Sequence, residues 1–331
     1  MAAFLSLFPR VYARFGSPPA PFAAPRCEAV PPPPSSAMAT PTAHRSSPLP
    51  SLIPPEVAEV ARRCPIGVFD SGIGGLTVVR ALMERLPLEN IVYFGDTARV
   101  PYGVKSVATI EQFTGQIVDF LLKHEVKMLI VACNTMAAVA SHVVRARAEA
   151  AGHLPVLDVI EAGARAAAAA TRDNAVGVIG TPTTVNSNAY ARHLHALNPG
   201  LRVYSQACPL FVPLVEEGWL DHPVTRLTAQ EYLKPVLAEN VDTLVLGCTH
   251  YPLLKPLLAD VAGPDVALVD SAVTTAEQAA RLLQDMGLAN PGDPGTPASY
   301  RYFVTDVPLR FTTIGERFLG RSLGRVETVA W

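Results

Sequence analysis

The chain has 331 residues, enough for one large domain or two of ordinary size, and 49% of them are hydrophobic, which supplies ample core. A formal charge of −2, with lysines and arginines scattered rather than clustered, leaves no electrostatic footprint for nucleic acid or an anionic membrane, so a small-molecule ligand is expected. No stretch approaches the roughly 20 continuous apolar residues of a membrane-spanning helix, and Arg165 and Arg172 interrupt the one alanine-rich run.

Residues 1–62 hold the densest proline in the chain, including "PPPP" at 31–34, and their arginines outnumber their acids. Such a segment buries too little apolar surface to offset its ordering entropy, and a disordered Pro-rich N-terminal extension is expected. Pro9 and Arg10 break the opening "MAAFLSLFPR" before it can serve as the apolar core of a secretory signal. The composition admits an organelle transit peptide, or a start at a later methionine such as Met38, and the second reading is favoured. The folded body is expected from about Pro65.

From there short apolar runs ending in turn residues alternate with amphipathic segments. "IGVFDSG", "NIVYFGD", "KMLIVACNT", "PVLDVI", "AVGVIGT", "LRVYSQAC", "TLVLGCTH" and "VALVDSA" read as buried strands, near-continuously apolar as parallel strands covered on both faces are. Residues 106–123 place Ile110, Phe113, Ile117 and Leu121 at helical spacing behind Ser106 as N-cap, and residues 228–239 form a second helix-like run. The fold class is α/β.

The body repeats itself. "GVFDSGIGG", "LIVACNT" and "VLDVIEAG" recur in order as "GVIGTPTT", "LVLGCTH" and "LVDSAVTT". Two pseudo-symmetric lobes follow, each a mostly parallel sheet flanked by helices, with lobe A over 63–160 plus 272–331 and lobe B over 161–271. Ligands of open α/β sheets lie outside the carboxyl ends of the strands. The cleft between the lobes would therefore bring Cys133 and Cys248 to one site from opposite sides.

Five cysteines, Cys27, Cys64, Cys133, Cys208 and Cys248, are an odd number with no C-x-x-C pair, so reduced thiols in a cytoplasm are expected rather than a disulfide framework or zinc ribbon. A cysteine at a strand end ahead of a helix gains from free N–H groups and the helix dipole, which pull a thiol below its usual value of about 8.5. Cys208 reads as core. Cys133 and Cys248 read as a functional pair, because each carries a polar successor, Asn134-Thr135 and Thr249-His250, which packing does not require. His250 alone would more often be structural, and its place two residues after Cys248 favours chemistry. A metal set of Cys133, Cys248, His250 and Asp70 lacks the ligand spacing of structural zinc, and no metal is expected. The glycines of "FDSGIGGLT" fit neither the dinucleotide fingerprint nor a P-loop, but leave amides open for a carboxylate, with Asp70 and Ser71 at the cleft edge. "PYG" at 101–103 is a turn.

Together "GVFDSGIGGLTV", "FGDTARVPYG", "ACNT", "ACPLFVPLVEEG" and "LGCTHYPLL" resemble the cofactor-independent aspartate/glutamate racemase family, from about Pro65 to Leu319. Met136 after "CNT" departs from the small residues commoner there. The resemblance implies two α/β lobes, usually a homodimer, interconverting L- and D-glutamate without a cofactor and supplying D-glutamate for peptidoglycan. It places catalytic thiols on Cys133 and Cys248, with Asp70, Glu216 and His250 assisting, and Glu217 as the alternative register for Glu216. Asp70, Ser71, Tyr102, Gly103, Asn134, Thr135, Thr249 and His250 would hold the substrate. Racemisation of a related amino acid such as aspartate, or non-enzymatic binding of an acidic amino acid, are the alternatives.

Overall fold

The computed structural model describes residues 55–293, 295–307 and 311–331. Its elements, in chain order, are α1 (Pro55–Arg63), β1 (Ile66–Asp70), α2 (Leu76–Arg85), β2 (Ile91–Gly95), α3 (Val107–Leu122), β3 (Met128–Val131) and α4 (Asn134–Ala150). Then come β4 (Val156–Asp158), α5 (Val159–Ala170), β5 (Ala175–Gly180), α6 (Pro182–Asn186), α7 (Ala189–Leu197), β6 (Arg202–Ala207) and α8 (Phe211–Glu216). The last are α9 (Pro223–Leu237), β7 (Thr243–Gly247), α10 (Lys255–Ala262), β8 (Ala267–Asp270), α11 (Ser271–Asp285), β9 (Tyr300–Val304), α12 (Phe311–Leu319) and β10 (Val326–Thr328).

The eight apolar runs are β1 to β8. Two parallel sheets result, one in the order β10-β9-β2-β1-β3-β4 and one in the order β6-β5-β7-β8. The quartet β2-β1-β3-β4 has the connectivity of β6-β5-β7-β8, so the repeated motifs occupy equivalent strands. Registers agree with this: Phe69 lies beside Val131 in the first sheet, and Ile179 beside Leu246 in the second. Asp158 and Asp270, equivalent in the repeat, are both N-caps, accepting from the Ile160 and Glu161 amides of α5 and from the Ala272 amide of α11. These two helices pack on each other, and α11 also packs on α2, so they link the sheets.

Three expectations change. The extension does not run to residue 62, because 55–63 form α1: Ala61 is buried, and the Arg62 carbonyl accepts a hydrogen bond from buried Lys127, which is also ion-paired with Glu89. The composition of 55–62 resembles the tail, but tertiary contact holds it, while the rest of the expected extension, 1–54, lies outside the described residues. The second helix runs from Pro223 to Leu237, started by Pro in its first turn and by His222, whose ring accepts from the Val224 amide. Finally, β9 and β10 widen the first sheet and were not expected, since "YRYFV" carries a charge and two phenols and β10 is a three-residue edge. Ser106 caps α3 through the Thr109 amide, as its spacing indicates.

Candidate active site

Strand ends build the site. β1 delivers Asp70 and Ser71, β3 delivers Cys133, β5 delivers Thr181 and β7 delivers Cys248, all at carboxyl ends where parallel strands leave their last groups open. These residues line one cavity of about 360 Å3 together with Tyr102, Gly103, Asn134, Thr135, Glu216, Thr249 and His250. Every candidate residue of the sequence reading faces it. Glu216 lines the cavity, and Glu217 is not among its lining residues. Sequence reasoning missed Thr97, Thr181, Val212, Phe311 and Ile314, which also line it. Thr181 was findable, because it occupies in "GVIGTP" the place of Ser71 in "GVFDSG".

Cys133 is the N-cap of the long helix α4, and its Sγ donates to Ser71 Oγ at 3.5 Å. The expectation of a depressed thiol fails here. Burial, followed by the charge of Asp70, pushes the Cys133 thiol up to about 12, and the Ser71 hydroxyl and nearby amides only partly oppose this. Asp70 is fixed by the Gly75 amide, which donates to its Oδ2 at 2.7 Å, while its buried Oδ1 has no partner among the described residues. Beside the thiol, Asn134 Oδ1 accepts from Tyr190 at 2.7 Å, leaving buried Nδ2 without a partner among the described residues. Met136 is buried in the core and is not among the cavity-lining residues.

Cys248 caps no helix: it stands three residues before a 3-10 turn, Tyr251–Leu254, that His250 caps and that runs on into the eight-residue α10. A histidine stands beside this thiol instead. His250 Nδ1 lies 3.9 Å from Cys248 Sγ, and its Nε2 lies 2.9 Å from Glu216 Oε1. Burial alone would lower the His250 pKa, but hydrogen bonds and charge from Cys248 and Glu216 overcome it and raise the value to about 10. The ring packs edge-on against Phe318, and Arg317 Nη1 donates to the Val215 and Glu216 carbonyls at 3.2 and 3.3 Å, fixing the end of α8.

The two halves meet closely around the cavity. Thr77 Oγ1 donates to the Thr249 carbonyl at 3.2 Å, Thr135 and Thr181 hydroxyls lie 3.0 Å apart, and Thr183 donates to the Gly103 carbonyl at 2.7 Å. A Cβ on Gly74 would stand 2.3 Å from Thr249 Oγ1 and 2.6 Å from His250 Nδ1, so only glycine fits this contact. Tyr102 turns its hydroxyl to Asp96, a buried acid that also holds Arg99 at 2.6 Å and Thr305 at 2.9 Å. Its ring and the Gly103 backbone are what it offers the cavity. Among the described residues no group of three or more His, Cys, Asp or Glu has metal-holding geometry, so Cys133, Cys248, His250 and Asp70 do not form a ligand set. No helix is long and apolar enough to cross a membrane among the same residues.

Known proteins resemble this chain over most of its length. Residues 76–279 match the family described as Asp/Glu/Hydantoin racemase. Glutamate racemase of Syntrophus aciditrophicus is 71% identical over 265 residues, covering 80% of this chain and 96% of its own. Glutamate racemase of Neisseria meningitidis is 65% identical over 271 residues, covering 82% and 98%. The crystal structure of Francisella tularensis glutamate racemase in complex with D-glutamate superposes with a TM-score of 0.75 at 46% identity, covering 81% of this chain and 98% of that one. The chain belongs to the Asp/Glu/hydantoin racemase family.

Proposed function

We propose that the chain is a glutamate racemase, interconverting L- and D-glutamate by proton transfer at the α-carbon between two opposed cysteines and using no cofactor. The observation that carries this reading is the delivery of Cys133 and Cys248 into one cavity from equivalent strand ends of the two sheets. An α-proton beside a carboxylate is very weakly acidic, so a base must be held close while donors stabilise the developing charge. Inversion requires an acid on the opposite face.

The two thiols differ in their surroundings. Protonated His250, braced by Glu216, stands beside Cys248, while buried Cys133 beside Asp70 is held as the neutral thiol. Cys248 then removes the α-proton and Cys133 supplies one to the other face, after which the roles are exchanged. The orphan atoms suit an amino acid: Asp70 Oδ1 accepts from the substrate ammonium and Asn134 Nδ2 donates to a carboxylate. Among the described residues no Lys or Arg lines the cavity, and hydroxyls, amides and His250 are the groups there that can hold the carboxylates. Family resemblance adds that the enzyme is a cytoplasmic homodimer supplying D-glutamate for peptidoglycan.

The test is a chiral assay of purified protein with L-glutamate and no added cofactor. Formation of D-glutamate is expected, with aspartate turned over far more slowly. Equal or faster turnover of aspartate would overturn the substrate, and no racemisation of either would overturn the activity.

A further inference from the structure

A second groove, of about 350 Å3, lies where β9 and β10 begin, against the loop that follows α12. This is the amino end of the sheet, away from the strand ends that form the active site. Between residues 301 and 325 the chain carries five arginines against two acids, although its net charge is −2. Three of those arginines, Arg301, Arg321 and Arg325, line the groove, with Tyr300 and Tyr302 as aromatic walls and Glu327 as its acid.

The groups are unequally committed. Arg301 pairs with Glu327 at 3.3 Å and lies over Phe303. Arg321 and Arg325 have no carboxylate partner among the described residues, and Arg321 sits 5.8 Å from the centre of the Tyr300 ring. Tyr302 is mostly buried, and its hydroxyl, which makes no hydrogen bond among the described residues, opens to the groove. A hydroxyl open to a basic groove can donate to an anion held there. Burial raises the Tyr302 phenol to about 12, against the opposing charge of Arg321, and it stays a donor at neutral pH. Buried Leu323 pins the loop that presents Arg321 and Arg325.

We propose that this groove binds the phosphoryl group of a small phosphorylated metabolite, with Arg321 and Arg325 clamping its oxygens and the Tyr302 hydroxyl donating from the floor. Planar guanidinium forks match phosphate oxygens in pairs, whereas a carboxylate offers one edge. The groove is separate from the proposed racemase chemistry.

Calorimetric titration of the full chain with pyrophosphate at low salt tests this, with succinate as the carboxylate control. Saturable binding with a Kd below about 1 mM is expected. It should weaken at least about tenfold in the double variant Arg321→Gln/Arg325→Gln and a few-fold in Tyr302→Phe. The arginines are exposed, so the double variant should fold and keep its far-UV spectrum. Pyrophosphate binding unchanged in the double variant, succinate binding as tight as pyrophosphate, or no saturable binding by the native chain would each overturn the assignment.

Discussion

Cys133 and Cys248 occupy equivalent places in the two sheets and have opposite surroundings. Cys133 begins a helix of 17 residues but has a carboxylate and hydroxyls for neighbours, and its burial holds it protonated. Cys248 caps no helix, standing ahead of a 3-10 turn, but has an imidazole backed by Glu216. Backbone position thus sets where each thiol stands, and side chains set how each one is surrounded. The helix dipole, worth about 0.3–1 kcal/mol at exposed sites, is too small to outweigh the burial of a thiolate without a cation.

Removing either thiol breaks the pair and has the largest expected effect. Cys133→Ala and Cys248→Ala should each lower racemisation by more than about 10³-fold, since a positioned acid or base contributes up to about 10⁴-fold. Steady-state assays of the two variants check this. Gly74→Ala comes next, because its methyl collides with Thr249 and His250 and must displace the imidazole beside Cys248. We expect kcat to fall about 10- to 100-fold, the scale of a misplacement near 1 Å, with the Cys133 side left intact.

Glu216→Gln sharpens the comparison through pH. His250 titrates near 10 in the folded protein against an ordinary value of 6.5, so its raised value stabilises the fold fully below 6.5 and that stabilisation is lost as pH rises through 10. Activity supported by the imidazolium should fade over the same alkaline range. In Glu216→Gln the alkaline limb of the kcat profile should move at least about one pH unit lower, while a profile that does not move would remove Glu216 from this role. The smallest effect belongs to Cys208, fully buried behind the site with Tyr251 donating to its carbonyl. Cys208→Ala should leave kcat within about twofold and cost about 1 kcal/mol in denaturant unfolding.

Much of this was legible because buried parallel strands carry an unmistakable pattern. β1 to β8 are apolar runs closed by turn residues, and the repeat exposed both the sheet connectivity and the pairing of Cys133 with Cys248. What stayed hidden depends on contacts distant in sequence. β9 reads as polar because Arg301 and two tyrosines interrupt it, and it becomes a strand by pairing with β2. Val212, Phe311 and Ile314 look like ordinary helix core until α8 and α12 fold over the cavity. Asp96 looked like a turn residue, and only the fold shows it buried under Tyr102, Arg99 and Thr305. The direction of the Cys133 shift is hidden for a related reason, since sequence shows the helix start but not the burial.

The central claim, that one thiol takes the proton and another returns it, is tested most directly in deuterium oxide. With pure L-glutamate and mass spectrometry of the separated enantiomers at low conversion, nearly all early D-glutamate should carry α-deuterium while residual L-glutamate stays largely protiated. Product protons then come from Cys133, equilibrated with solvent, and not from the group that removed the original one. Early D-glutamate that retains a large share of protium, or residual L-glutamate that fills with deuterium from the start, would contradict the opposed-thiol account.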